Sequence, residues 1–190
     1  MKIDFSQQLD FNNVLIRPQR TTISSRSEVS LERNFCFKNS NISWKGVPIM
    51  ASNMDTTGTF EVSNVLNNYN MLTCLNKFYD IEDFGSYLMK KKQKLGESHY
   101  ANYIKNIVIS IGIGKNDLVK LEKLLELFPE IQWICVDVAN GYMKKMVDVC
   151  KHIRTKYPNK IIIAGNVATG EMTQELIING GVDIVKVGIG

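Results

Sequence analysis

The feature that most restricts the fold is a set of short apolar runs without polar alternation: VPIMA (47–51), WICVDV (133–138), IIIAG (161–165) and IVKV (184–187). A strand that is apolar on both faces is covered on both faces, as in a parallel sheet built from βα units. Each run leads into a turn rich in Gly, Asn or Asp and then into a helical pattern. Strands are expected at 47–51, 71–75, 107–111, 131–137, 160–164 and 183–187, with a helix between successive strands. The helix at 116–128 is the clearest: Leu118, Leu121, Leu124, Leu125 and Phe128 share one face, Asn116 or Asp117 is placed to cap it, and Pro129 stops it. A second runs over 143–157 and ends before Pro158. A third opens at Thr169 and closes at 179–181 (Asn-Gly-Gly), where a left-handed residue is easily accommodated.

Repeated βα units close into a barrel or spread into a doubly wound open sheet. The open-sheet signature, GxGxxG after the first strand, is absent; Gly112 and Gly114 follow the third strand and lack the third glycine. Polar residues or glycines instead mark the end of every strand, at 53–55, 76–77, 110–114, 137–141, 165–166 and 188–190. Chemistry distributed over all the strand ends is the habit of a barrel, whereas an open sheet gathers it at one switch point. The fold class expected is therefore α/β, a (β/α)8 TIM barrel truncated after about six βα strands, with 1–190 as a single barrel domain. Two missing strands would leave sheet edges unpaired, so the chain is expected to be the N-terminal part of a longer one.

Composition excludes other classes. No apolar run approaches the roughly 18 residues needed to span a bilayer, and the opening MKIDFSQQLDF is not a signal peptide, so neither a membrane nor secretion is expected. Lys+Arg number 23 and Asp+Glu 19, a net charge of +4, but the basic residues are dispersed and the cluster Lys90, Lys91, Lys92 and Lys94 lacks interleaved aromatics, which argues against nucleic acid. The 4 cysteines, Cys36, Cys74, Cys135 and Cys150, match neither a disulfide framework nor zinc-ligand spacing and read as reduced thiols of a cytoplasmic protein.

The segments LDFNNVLIRPQR (9–20), SRSEV (25–29), GVPIMASNMDTTGTFE (46–61), Asn76 with Lys77, DVANGY (137–142), AGNVATGEM (164–172) and DIVKVGIG (183–190) occur in order over nearly the whole chain. Together they resemble the inosine monophosphate (IMP) dehydrogenase and guanosine monophosphate (GMP) reductase family. The resemblance implies a (β/α)8 barrel, usually a homotetramer. Within the family, the short stretch between Lys77 and Ile107 has no room for the paired CBS modules common in the dehydrogenases, and DVANGY looks like the reductase loop. The implied activity is reduction of GMP to IMP and ammonia with NADPH. The alternatives are a dehydrogenase without CBS modules and a truncated, non-catalytic nucleotide-binding or assembly subunit.

The resemblance implies attack of a cysteine on the purine C2, but that cysteine lies in a loop beyond the final GIG and matches none of the four present, so the 190-residue chain alone is expected to be inactive. Ser25 and Arg26 match a pair that contacts the dinucleotide, and Lys77 matches a lysine beside the cofactor and the purine. Asp137, Val138 and Ala139 match a triplet at the nicotinamide end, and Ile189 and Gly190 touch the cofactor. Asn53, Met54, Asp55 and Asn166 are implied on the substrate side, and Gly190 as a potassium ligand through its carbonyl. Bland readings stand beside these: a loop ion pair for Arg26, a partner for Asp55 or Asp137 in Lys77, a turn at 140–141, a helix cap in Asp55 or Asp137. Lys186 lies in an apolar run, so its charge needs either a partner inside the barrel or an escape to the rim.

Overall fold

A computed structural model describes residues 3, 5, 7 and 9–188, without the side chain of Phe11. The chain divides into two compact units, Met1–Ser30 and Leu31–Gly190. The first holds two single turns of 3-10 helix, Phe11–Asn13 and Arg26–Glu28.

The second unit opens with an antiparallel hairpin, β1 (Arg33–Phe37) and β2 (Ile42–Gly46). There follow β3 (Met50–Ala51), α1 (Phe60–Asn67), β4 (Leu72–Leu75), α2 (Ile81–Ile104), β5 (Ile107–Ile111), α3 (Lys115–Leu127), β6 (Trp133–Asp137), α4 (Lys144–Lys156), β7 (Ile161–Val167), α5 (Gly170–Ile178) and β8 (Ile184–Val187). Strands β3 to β8 form one parallel sheet in strictly sequential order, curled so that its helices lie outside. This is the arrangement of six consecutive units of a (β/α)8 barrel, as expected.

All six expected strands are present, with edges moved by local chemistry. The first shortens to Met50–Ala51 because Pro48 has no N–H to give a ladder, and Val47 bonds Asn70 instead. The helix expected from Asn116 starts at Lys115, and Asp117 works from its third position, where its carboxylate accepts from the Gly114 N–H at 2.9 Å. Thr59, not Asp55, caps α1, and Thr169 caps α5. Gly181 takes the positive φ that ends the α5 connection (68°). Within α2, Gly96 leaves helical geometry at φ 72°, so that segment is two helices across a kink.

Burial explains the unbroken apolar runs. One set of strand residues, including Ile109, Ile111, Ile134, Val136, Ile162 and Ala164, packs against the helices in the larger core. The alternate set, Leu72, Cys74, Val108, Trp133, Cys135, Ile161 and Ile163, lines the inside of the curl together with Trp44 of the hairpin. Trp44 and Trp133 meet edge to face with ring centres 5.6 Å apart, so the hairpin seals the end where the strands begin. The hairpin was not anticipated, because RNFCF and ISWKG are mostly solvent-facing and carry no unbroken apolar run.

Candidate functional site

At the ends of the strands the interior changes character. In register across three strands stand Asp137 on β6, Gly165 on β7 and Lys186 on β8. Asp137 closes the apolar run of β6 and is half-buried. Lys186 donates from Nζ to Asp137 and, at 3.1 Å, to Asn53 Oδ1 in the loop after β3. Burial works against the Lys186 ammonium. Its hydrogen bond to Asp137, with the nearby Cys135 and Cys74 and the Asp137 charge, nevertheless raises its pKa above that of an ordinary lysine. Lys186 thus takes the inward of its two possible positions, and Asp137 has Lys186 as its partner, not Lys77.

The loop carrying Asn53 is docked onto the end of β4. Asn76 gives its backbone N–H and its side-chain amide to Gly58 O, at 2.9 and 3.0 Å, and Thr57 bonds Ser52 O at 3.0 Å. A side chain at Gly58 would come within 2.3 Å of the Cys74 carbonyl, so only glycine allows this approach. Asn53 is held half-buried, whereas Met54 and Asp55 beside it are exposed.

The 137–142 segment is laced to the end of β7. Val138 N–H bonds Gly165 O, Asn166 N–H bonds Val138 O, and Gly141 N–H bonds Asn166 O, all at 2.8–2.9 Å. Val138 packs its side chain against the helix-side core while Ala139 is exposed. Asn140 makes the expected turn, its side-chain oxygen accepting from Tyr142 N–H at 3.1 Å. Tyr142 then clamps the next loop: its hydroxyl donates to Thr169 and accepts from Ala168 N–H at 3.0 Å. The Asn166 side-chain oxygen is buried without a hydrogen-bond partner among the described residues, which marks it as a free acceptor at the rim.

Lys77 is exposed just past β4, its carbonyl accepting from Lys120 Nζ at 2.8 Å. Ser25 and Arg26 belong to the first unit: Ser25 begins the second 3-10 turn, accepting from Ser27 N–H at 3.3 Å and donating its own N–H to Glu28, and Arg26 is exposed. Ile189 and Gly190 lie outside the described residues, and with them the expected potassium ligand. Among the described residues no cluster of His, Cys, Asp and Glu is arranged to hold a metal ion.

The cysteines are unsuited to nucleophilic work. The Cys74 thiol is pushed well up, first by its hydrogen bond with Cys135 and then by burial, and burial raises Cys150 to about 12. Cys36 is exposed on the hairpin, at the far end from Asp137, with its sulfur 2.9 Å from the Ser43 hydroxyl. A cavity of about 580 Å³ runs along the inside of the curl between hairpin and sheet. Its walls are chiefly apolar, Phe37, Trp44, Leu72 and Ile163 among them, and Lys186 stands at its polar end.

Two groups in this half of the molecule were missed in the sequence. Gly165 carries no side chain where Lys186 crosses toward Asp137; its place inside AGN was the available signal. Tyr142 was quoted only as part of a motif, and its polar ring beside a glycine turn hinted at a loop clamp.

Comparison with known proteins follows the same outline. Residues 8–190 match the family model described as IMP dehydrogenase / GMP reductase domain. The chain is 44% identical over 189 residues to GMP reductase 1 of Homo sapiens and 44% identical over 190 residues to GMP reductase of Buchnera aphidicola. In both cases all of this chain aligns with 52% of the relative, so it spans about half the length of these proteins. The crystal structure of inosine 5′-monophosphate dehydrogenase from Legionella pneumophila superposes with a TM-score of 0.74 at 26% identity, covering 97% of this chain and 51% of that one. Sequential parallel strands, a polar rim at their ends and a family match over almost every residue lead to one conclusion: this chain belongs to the IMP dehydrogenase / GMP reductase family.

Proposed function

We propose that this chain is the N-terminal part of a GMP reductase, which converts GMP to IMP and ammonia at the expense of NADPH. The observation that carries the reading is the 44% identity to GMP reductases of an animal and a bacterium along the whole chain. The connection from β4 to β5, filled by α2 alone, favours the reductase over a dehydrogenase with inserted modules.

The residues at the rim suit the ligands. Asn53, Met54, Asp55 and Asn166 face the nucleotide, and the unpartnered Asn166 oxygen accepts a donor from it. Asp137, Val138 and Ala139 hold the nicotinamide end of the dinucleotide; Ser25 and Arg26, which the family resemblance alone assigns to a dinucleotide, suit its phosphates through the planar guanidinium. Gly190 and Ile189 complete the cofactor side, with the Gly190 carbonyl as a potassium ligand. When bound, the dinucleotide supplies a hydride. Asp137, at a rim of low dielectric, orients hydroxyl or amide groups by charge-assisted hydrogen bonds. Lys77 lends a cation beside the purine as the amino group departs. The nucleophile that the family resemblance implies is a cysteine other than the four of this chain. A homotetramer is the proposed assembly and the cytoplasm the proposed compartment; no described helix is long and apolar enough to cross a membrane.

The test is the complete polypeptide assayed with GMP and NADPH against IMP and NAD. Oxidation of NADPH dependent on GMP, with IMP and ammonia as products, is expected. Reduction of NAD dependent on IMP, without the first reaction, would replace the reading with the dehydrogenase.

A further inference from the structure

Strands β3 and β8 are the two outer members of the sheet, yet Lys186 on β8 reaches the loop that follows β3. Its ammonium donates to Asn53 Oδ1 at 3.1 Å and to the Asp137 carboxylate two strands away. The crossing is permitted by Gly165 on the intervening strand: a Cβ there would lie 2.5 Å from the Lys186 Cβ and 2.6 Å from its carbonyl oxygen. The side chains of Lys186 and Asp137 are 30% and 21% exposed, so the pair is shielded without being sealed. Beneath it lie the buried thiols of Cys74 and Cys135 and the Ser110 hydroxyl, which bonds the Leu75 carbonyl.

Among the described residues only this side chain joins the loop after β3 to the end of β6. The two anchors belong to different sides of the proposed site: Asn53 to the nucleotide and Asp137 to the dinucleotide. We propose that Lys186 is a positioning residue, a strut across the mouth that fixes the Asn53 amide and the Asp137 carboxylate relative to each other. An ammonium has three N–H bonds and acts as a compact point charge, so it serves two acceptors on different elements at once. The charge also keeps the rim together: without it, Asp137 swings to water and Asn53 loses its donor. The inference rests on the proposed function for its ligands, but not for its geometry.

The experiment uses the complete polypeptide and the variants Lys186→Met, Lys186→Arg, Asp137→Ala and Asn53→Ala, alone and combined. Lys186→Met is expected to lower kcat by about a hundredfold, the size of losing one oriented electrostatic group, and to raise the KM of both GMP and NADPH. Lys186→Arg, which keeps a cation within reach of both acceptors, is expected to recover at least a tenth of the wild-type rate. The triple variant Lys186→Met/Asp137→Ala/Asn53→Ala should be no slower than Asp137→Ala/Asn53→Ala, because the lysine acts through those two side chains. Rate losses that multiply, or a Lys186→Met protein that melts earlier but keeps its kinetic constants, would overturn the proposal.

Melting temperatures give a readout that does not depend on substrate. The Tm decrease caused by Lys186→Met should shrink markedly when Asp137 and Asn53 are already replaced. If the wild-type protein fails to use GMP and NADPH, the functional reading is lost, and the melting cycle still decides the strut: an undiminished decrease removes it.

Discussion

Strand β8 carries two ion pairs, one near each end, built from the same chemistry in different surroundings. At its start, Asp183 has a side chain that is 0% exposed and pairs with Arg154 of α4 at 2.5 Å. Every group there is used. The guanidinium also donates to the carbonyls of Gly181, Pro158 and Lys160, and the carboxylate accepts from the backbone N–H groups of Ser40 and Ile162. Near its end, Lys186 and Asp137 remain part-exposed, and among the described residues one further hydrogen bond is seen, from Lys186 to Asn53. A buried pair saturated with backbone partners fixes structure; a pair with spare hydrogen-bonding capacity at an open rim is available to a ligand. The contrast teaches that one sheet keeps its saturated polar pair and its open one at opposite ends, the separation on which barrels build their sites.

The strongest way to break this comparison is at the saturated pair. Replacing Arg154 with alanine strands the Asp183 carboxylate in the core and frees three carbonyls. The expected loss is about 3–5 kcal/mol of unfolding free energy, measured by chemical denaturation of the complete polypeptide. Lysine at the same place should rescue little, because one ammonium cannot reproduce the fork that spans Asp183, Gly181, Pro158 and Lys160. A loss under about 1 kcal/mol for Arg154→Ala would mean that the pair contributes no more than a surface one and would remove the distinction between the ends.

The rim should respond in the opposite manner. Asp137→Ala is expected to slow GMP-dependent NADPH oxidation by about two to three orders of magnitude, and Lys77→Ala by about two, the usual effect of removing an oriented electrostatic group. Stability should fall by much less than for Arg154→Ala, since water reaches Asp137 and hydrates the remaining lysine. Steady-state kinetics with denaturation curves on the same preparations would decide. Turnover near normal in both variants would show the two side chains to be structural.

How much of this was readable in the residues follows from the range of each interaction. Unbroken runs such as IVISI (107–111) and WICVD (133–137) record burial on two faces, so the strands and their order could be read locally. The α3 stripe and Pro129 were equally local. The hairpin was not, because its Trp44 is buried against residues far along the chain, Asn106 and Trp133 among them. Lys186 announced itself as a charge in an apolar strand, but its partners 49 and 133 residues away depend on the curl of the sheet. Arg154 and Asp183 gave no signal, since a helical arginine and an aspartate before a strand are ordinary until packing brings them together. Asn53, Asp137 and Lys186 converge in space, whereas Met54 and Asp55, read with Asn53, are exposed.

The smallest expected effect concerns the thiols, and it sharpens the contrast between the ends from inside. Cys36, on the hairpin, is exposed and borders the large cavity, so an alkylating reagent can reach it. Cys74 and Cys135 sit under Lys186, buried and hydrogen-bonded to each other, and the raised pKa of Cys74 leaves little thiolate at neutral pH. Cys150 is buried among the helices with its pKa raised to about 12. Brief treatment of the folded, complete polypeptide with a maleimide, followed by peptide mass mapping, should therefore find label on Cys36 and on none of the other three. Adding denaturant should expose all four. Cys36→Ser should change neither melting temperature nor turnover, because the side chain touches little beyond the Ser43 hydroxyl. Early labelling of Cys74 or Cys135 would mean that the rim opens to reagent faster than the Lys186 strut allows, and it would contradict the burial of both thiols beneath it.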